Sequence, residues 1–275
     1  MAQKVWMVTG ASRGFGAEIS QAILGAGDKL VATARSLNAL EHLGKHDSLL
    51  TVALDVTNEA EVKKAVDAGL THFGRIDVLV NNAGYGLLGA VEESSAEEVE
   101  KIYRTNVFGL LNVTRSVLPS MRKQRSGHII NFSSIGGYAA AEGWGVYCST
   151  KFAVEGITEA LHAELAPLGI HATVVEPGFF RTDFLDSRSL ISTAAKISDY
   201  AETVGKMRDF AGGHNHQQPG DPKKLAQALL ELANAAKPPL RLPLGTDTLK
   251  RIAEKNASVV RETEAWRVLA ASTDF

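Results

Sequence analysis

Apolar runs and helical patterns alternate along most of the chain. Short apolar runs rich in β-branched residues stand at 5–8, 30–33, 49–54, 76–80, 128–132 and 172–175. Between them, apolar positions recur at helical spacing over 17–24, 38–44, 60–73, 96–121 and 146–165. Continuous apolar runs of this length suit strands buried on both faces, and strands separated by helices suit a parallel sheet. The pattern predicts an α/β fold: a doubly wound parallel sheet with helices on both faces.

The rhythm breaks after Pro177-Gly178. Residues 183–218 carry Ser, Thr, Lys and Asp and then Gly212-Gly213-His214-Asn215-His216, which reads as a mobile helical insertion. Order resumes at Asp221-Pro222, an N-cap followed by Pro at the first helical position. Residues 225–236 read as helix. The Pro-rich stretch 238–245 reads as a short edge strand, since interior strands exclude Pro. The tail, 246–272, reads as helix with Ile252, Val259, Val260, Trp266 and Leu269 as its apolar positions. No repeat, linker or low-complexity tract divides the chain, so one domain is expected over 1–275.

Composition narrows the class. Of 275 residues, 45% are hydrophobic, enough for a full core, and the net charge of −2 leaves no basic excess for nucleic acid. No apolar stretch reaches the ~18 residues of a membrane span, and no signal peptide is read at the start of the sequence. The single cysteine, Cys148, excludes an internal disulfide and reads as a packed helix residue. A cytoplasmic protein is expected. His214 and His216, with no Cys or acid cluster beside them, read as a loop and not as metal ligands.

Thr9-Gly-Ala-Ser-Arg-Gly-Phe-Gly16 follows the first strand and opens a helix. Glycines let a pyrophosphate approach the backbone, and the helix N-terminus offers free N–H groups to it. Gly10, Ser12, Arg13, Gly14, Phe15 and Gly16 are therefore expected to hold a dinucleotide. An acid at the end of the second strand would take a ribose 2′-hydroxyl. The sequence there is Val31-Ala-Thr-Ala-Arg-Ser36, with no acid. Arg35 and Arg13 can instead clamp a 2′-phosphate, which predicts NADP(H).

Tyr147 and Lys151 are four residues apart on one helix face, and Ser134 lies thirteen residues before the tyrosine. A lysine charge at ~4 Å and an effective dielectric of ~20 contributes about 4 kcal/mol, or roughly three pK units. That would bring a phenol toward neutral pH, where general acid/base catalysis works best. Ser133 rivals Ser134, but strand alternation places only one of the two on the active face.

Taken in order, these motifs resemble those of the short-chain dehydrogenases/reductases, in their single-domain branch, over nearly the whole chain. The resemblance implies a sheet ordered 3-2-1-4-5-6-7. It implies that Asp55 and Val56, in Leu-Asp-Val-Thr57, meet the adenine, and that Asn82, Ala83 and Gly84, in Asn81-Asn-Ala-Gly84, support the sheet and the adenine-side ribose. It implies that Asn106, Ser134, Tyr147 and Lys151 form the catalytic set. Tyr147 would exchange a proton with the substrate oxygen, Lys151 would lower its pKa and hold the nicotinamide ribose, Ser134 would orient the oxygen, and Asn106 would hold a water near Lys151. Pro177, Gly178, Phe180 and Thr182 would close on the nicotinamide carboxamide, although the family more often has a smaller aliphatic residue where Phe180 stands.

The substrate wall is expected from three stretches, with Leu87, Leu88, Ile135, Tyr138, Trp144, Phe179, Phe184 and Leu185 as contributors. Few charges occur among them, which suits an apolar or aromatic ketone or aldehyde. The insertion behind them reads as a lid. The expected activity is NADPH-dependent carbonyl reduction, reversible as alcohol oxidation, with a hydroxysteroid dehydrogenase as a variant. A non-catalytic NADP(H) sensor is the alternative from another class. A sugar-nucleotide epimerase or dehydratase fits the glycine spacing poorly. The resemblance also implies a homodimer or homotetramer packed through the helices near 96–121 and 146–165.

Overall fold

The computed structural model describes residues 3–213 and 217–275. Its strands are β1 (Val5–Thr9), β2 (Lys29–Ala34), β3 (Leu49–Ala53), β4 (Val78–Asn81), β5 (Gly86–Leu88), β6 (Gly127–Phe132), β7 (Ile170–Pro177), β8 (Leu190–Ser192) and β9 (Arg241–Leu244). The helices are α1 (Gly14–Gly25), α2 (Glu59–Phe73), α3 (Ala96–Tyr103), α4 (Leu110–Gln124), α5 (Gly145–Leu165), α6 (Lys206–Gly213), α7 (Pro222–Asn234), α8 (Thr246–Ala265) and α9 (Arg267–Ala271). Seven strands form one parallel sheet in the order β3-β2-β1-β4-β6-β7-β9. Counted within that sheet alone, this is the expected 3-2-1-4-5-6-7 order.

Side-chain alternation along each strand divides the core into two layers. Trp6 and Val8 of β1, Val78 and Val80 of β4, and Ile130 and Phe132 of β6 face α1 and α7, where they meet Ile19, Ile23, Leu225 and Leu229. The intervening Met7, Leu79 and Ile129 face the opposite layer, with Val62 and Val66 of α2 and Val113 and Val117 of α4. The central strands are apolar at most positions because both of their faces are covered.

Local chemistry sets the helix ends. Asn58 caps α2 by accepting from the Ala60 and Glu61 amides, and Ser95 and Glu98 form a reciprocal capping box on α3. Asp221 caps α7 with Pro222 at its first position. Pro243 sits in β9, the outermost strand, where a missing N–H is tolerated.

Three expectations are revised. The stretch read as helix over 38–44 is a run of 3₁₀ turns, Leu37–Leu43. The long helix over 96–121 is interrupted by a π-helical turn at Arg104–Gly109 between α3 and α4. The insertion after β7 is not simply helical. It holds a 3₁₀ turn (Asp183–Leu185), the strand β8, a π turn (Ala201–Gly205) and α6. β8 pairs in parallel with β5 to make a separate two-stranded sheet. Buried Glu93 fastens this segment to the body, accepting from the Ala90 and Ile197 amides and pairing with Arg208. His214 and His216 lie outside the described residues. Among the described residues, no group of three or more His, Cys, Asp or Glu could hold a metal, and no helix is long and apolar enough to cross a membrane.

One buried polar residue carries a stability prediction. His128 of β6 is 5% exposed, and its Nε2 meets the Thr173 hydroxyl at 2.9 Å. Burial, reinforced by His171 and His162, lowers its pKa from 6.5 to about 3. Below pH 6.5 the unfolded chain binds a proton that the folded chain refuses, so stability falls as pH falls from 6.5 toward 3. The slope from this residue approaches about 1.4 kcal/mol per pH unit. Other groups titrate over the same range, so the test is the difference: in urea unfolding between pH 7 and 5, His128→Asn is expected to lose less stability, or gain more, than the wild type.

Candidate active site

The glycine loop is built by close approach. Gly10 adopts φ +69°, a left-handed conformation that disfavours a side chain. At Gly16 a Cβ would collide with the Gly10 carbonyl oxygen. Asn82, just beyond β4, locks the loop from the side: its Nδ2 donates to the carbonyls of Thr9 at 3.0 Å and Gly10 at 3.1 Å. In return the Thr9 hydroxyl accepts from the Asn82 and Ala83 amides. The first N–H groups of α1 receive no side-chain cap, since Arg13 at the N-cap is extended and makes no capping bond. An uncapped, glycine-lined helix start fits a bound pyrophosphate.

Cations gather beside this loop. Arg35 is exposed immediately after β2, and Arg13 Nη2 donates to the Arg188 carbonyl at 2.7 Å. Burial lowers the Arg13 pKa, and the Arg188 and Arg35 guanidiniums push it the same way, against Asp183 and Asp186. Like charges held this close favour an anion between them. Arg188 was not singled out in the sequence. It belongs to the segment read as a substrate lid, and only the tertiary fold returns it to the glycine loop.

Asp55 is turned inward on its own chain, its Oδ1 accepting from the Thr57 amide and hydroxyl. Val56 is buried against Gly109, and its carbonyl accepts from Asn112 Nδ2. Gly178 abuts the Asp247 carboxylate of α8, which also accepts from the Phe179 amide at 2.7 Å. The turn after Pro177 is thus held by the tail helix. Phe180 packs in the core, its ring 5.4 Å from Phe15, which itself lies 5.6 Å from Phe132. Phe15 and Phe180 fill one space together, which accounts for the large residue at position 180. Thr182 caps the following 3₁₀ turn, and its Cβ lies 3.7 Å from where a Gly14 Cβ would stand. The post-β7 turn and the glycine loop therefore face each other.

Ser134, Tyr147, Lys151 and Asn106 converge at the carboxyl end of the sheet. Ser134 leaves β6 extended and accepts from the Gly136 amide at 3.1 Å, and its hydroxyl stands on the Tyr147 side, where it favours the ionised phenol. Ser133 points the other way, toward Glu155. Lys151 is buried, donates to the Phe132 carbonyl at 2.8 Å, and stands 5.8 Å from the centroid of the Tyr147 ring. Asn106 sits within the π turn, a widening of the helix common at functional sites. Its Nδ2 donates to the Tyr85 carbonyl (2.9 Å) and the Thr150 hydroxyl (3.2 Å), while its Oδ1 accepts from the Tyr85 amide. A Cβ at Gly84 would stand 3.1 Å from Asn106 Oδ1 and 3.8 Å from Lys151 Nζ, so this glycine is the floor between them.

Burial corrects the Coulomb argument drawn from spacing. It raises the Tyr147 pKa above its ordinary value, with Ser134 opposing, and lowers Lys151 to about 8 despite the pull of Glu155. Desolvation of both groups outweighs their mutual effect. The phenol is therefore protonated at neutral pH.

Aromatic rings cover this phenol. Trp144 lies edge-on to Tyr147 at 5.7 Å, and Phe184 reaches it at 5.7 Å from the post-β7 turn. Leu87, Tyr85 and Tyr103 complete the apolar patch. Ile135 follows Ser134 in the 3₁₀ turn. Two expected wall residues point elsewhere. The Tyr138 hydroxyl donates to Asn256 of α8, and Phe179 packs edge-on against Phe210 at 5.9 Å. Cys148 is buried, and burial raises its thiol pKa, which leaves it a packed and unreactive side chain.

The comparisons with known proteins agree with this geometry. Residues 4–190 match the family model described as short chain dehydrogenase. The chain is 38% identical over 271 residues to oxidoreductase BOA17 of Botryotinia fuckeliana, covering 97% of this chain and 98% of that one. It is 39% identical over 246 residues to a 3-ketodihydrosphingosine reductase of Bacteroides thetaiotaomicron, covering 89% of each. A short-chain dehydrogenase from Streptomyces avermitilis superposes with a TM-score of 0.93 at 39% identity over the full length of both chains. More distant solved structures hold either nucleotide. NADP is bound in ElxO (28% identical, TM-score 0.74, covering 90% of this chain and all of that one). NADH is bound in a 3-ketoacyl-(acyl-carrier-protein) reductase of Brucella melitensis (27%, TM-score 0.74, 88% and 96%). With its parallel sheet, its glycine loop and this extent of likeness, the chain belongs to the short-chain dehydrogenase/reductase family of oxidoreductases.

Proposed function

We propose that this protein reduces an apolar or aromatic ketone or aldehyde to the alcohol with NADPH, reversibly, and that Tyr147 is the proton donor. The observation that carries the reading is the buried phenol, with Ser134 beside it and Trp144 and Phe184 walling it. When bound, the nicotinamide supplies the hydride that adds to the carbonyl carbon. Ser134 orients the carbonyl oxygen toward the phenol. Tyr147 gives its proton to that oxygen as the C=O π electrons move onto it, so the product is a neutral alcohol. Lys151 binds the nicotinamide ribose and, with Asn106, leads a replacement proton from solvent. Gly10 to Gly16, Asp55, Val56 and Asn82 to Gly84 hold the dinucleotide, with Pro177, Gly178, Phe180 and Thr182 closing over it.

Arg13 and Arg35 beside the uncapped start of α1 support NADP(H) over NAD(H). The apolar wall supports a hydrophobic carbonyl compound, and the likeness to a 3-ketodihydrosphingosine reductase supports a ketone. The insertion over 183–218 is proposed as the substrate cover, since its Phe184 lies against Tyr147. Phe108 and Phe152, both about half exposed on the π turn and α5, support a homo-oligomer packed through these helices. A cytoplasmic location is part of the same proposal. The test is NADPH oxidation, followed at the nicotinamide absorbance, with aliphatic, long-chain, aryl and steroid ketones. Turnover of at least one is expected. Tight NADPH binding without turnover of any ketone, or of any alcohol in reverse, would favour a sensor.

A further inference from the structure

Behind Lys151 lies a buried acidic pair that the reaction above does not use. Glu155, one turn beyond Lys151 on α5, is 5% exposed, and Glu176 of β7 is 0% exposed. Arg241 of β9 lies against both, its Nε 3.4 Å from Glu155 Oε2 and 3.3 Å from Glu176 Oε1. The same guanidinium also pairs with Glu159 near the surface. None of the four buried carboxylate oxygens has a hydrogen-bond donor of normal geometry. Two carboxyls side by side in the interior cannot both ionise without a large cost, and one guanidinium shared three ways compensates only part of it. Such a pair carries one proton between its members.

We propose that Glu155 and Glu176 share one proton, and that the charge left on Glu155 is the counter-charge that keeps Lys151 an ammonium. The pair is then a positioning element for Lys151 and sets the pH at which this lysine is lost to the reaction. The inference rests on the reading of Tyr147 and Lys151 as the proton-transfer pair. The groups facing Glu155 are Lys151 and Glu159 on its own helix, Ser133 after β6, Glu176 on β7 and Arg241 on β9. Burial pushes both carboxyls up, Glu176 to about 7, and Arg241 pulls each of them back. Glu155 in turn holds Lys151 up against its own burial.

The signs of two isosteric variants differ. Glu155→Gln removes the counter-charge, so Lys151 releases its proton at lower pH. Glu176→Gln removes the competing acid and offers an amide N–H, so Glu155 stays ionised and Lys151 holds its proton to higher pH. The experiment is an NMR titration of full-length protein carrying ¹³Cε-labelled lysine, with the Lys151 signal assigned by Lys151→Arg. It is run beside the pH dependence of ketone reduction. The expected result is a Lys151 midpoint lowered by about one pH unit in Glu155→Gln and raised in Glu176→Gln. The alkaline limb of the rate profile should move the same way. Midpoints that stay fixed, or that move together in one direction, would overturn the proposal. Midpoints that move as expected in a protein that reduces no carbonyl would uphold the pair's role and refute the reductase reading.

Discussion

Tyr147→Phe is expected to lower kcat for ketone reduction by about 10³-fold, the usual worth of a positioned proton donor. NADPH affinity should stay within a few-fold of wild type. The substitution removes one hydroxyl and keeps the ring, so the packing against Trp144 and Phe184 survives. Ser134 keeps its bond from the Gly136 amide. The Tyr138 hydroxyl does not stand in for it, because it is turned to Asn256. Steady-state rates at saturating NADPH, with a separate fluorescence titration of NADPH, separate the two effects. A variant with undiminished kcat would mean that the proton comes from elsewhere. The wild-type pH profile has a sign as well. Burial keeps the phenol protonated through neutrality, so reduction should be flat there. It should decline above about pH 8, where Lys151 loses its charge. Alcohol oxidation, which needs the phenolate, should rise with pH.

The second large effect concerns the nucleotide. Arg35→Asp should lower kcat/KM with NADPH by about 10²-fold, as a charge-assisted hydrogen bond of ~1.5–3 kcal/mol is lost and an acid faces the 2′-phosphate. The same acid can accept from a ribose 2′-hydroxyl, so kcat/KM with NADH should hold or improve. Arg35 is exposed and outside β2, so the fold should not suffer. Paired kcat/KM measurements with the two cofactors give the ratio directly. An unchanged ratio would remove Arg35 from the cofactor site and leave Arg13 and Arg188 as the cations that matter there.

Much of this architecture can be read from the chain because its signals are local. Six apolar runs separated by helical spacing, with the Pro-rich edge strand after them, specify the doubly wound sheet, and the strand alternation of Trp6, Met7 and Val8 distributes side chains to its two layers. Asp221-Pro222 marks the start of α7 in two residues. The catalytic spacing works for the same reason: Tyr147 and Lys151 are neighbours on one helix turn. What escaped the sequence depends on distant contacts. The three-residue strands β5 and β8 exist only because each finds the other across about a hundred residues of chain. Arg188 reaches Arg13, and Asp247 holds the Gly178 turn, through tertiary folding alone. The π turn that presents Asn106 has no residue signature beyond Gly109, whose missing side chain makes room for Val56. The phenol's ionisation does not follow from spacing, which reports a neighbouring charge and says nothing about water. Phe184, which removes much of that water, arrives from a segment with no periodicity to place it.

The central claim, hydride transfer from NADPH to a carbonyl carbon at Tyr147, is tested most directly by isotope. NADPH carrying two deuterium atoms at nicotinamide C4 would be incubated with the wild-type protein and a ketone that it consumes, and the alcohol analysed by mass spectrometry. The account predicts one deuterium on the carbinol carbon and a hydroxyl proton drawn from solvent. An alcohol without that deuterium, or NADPH consumed with no alcohol formed, would contradict it.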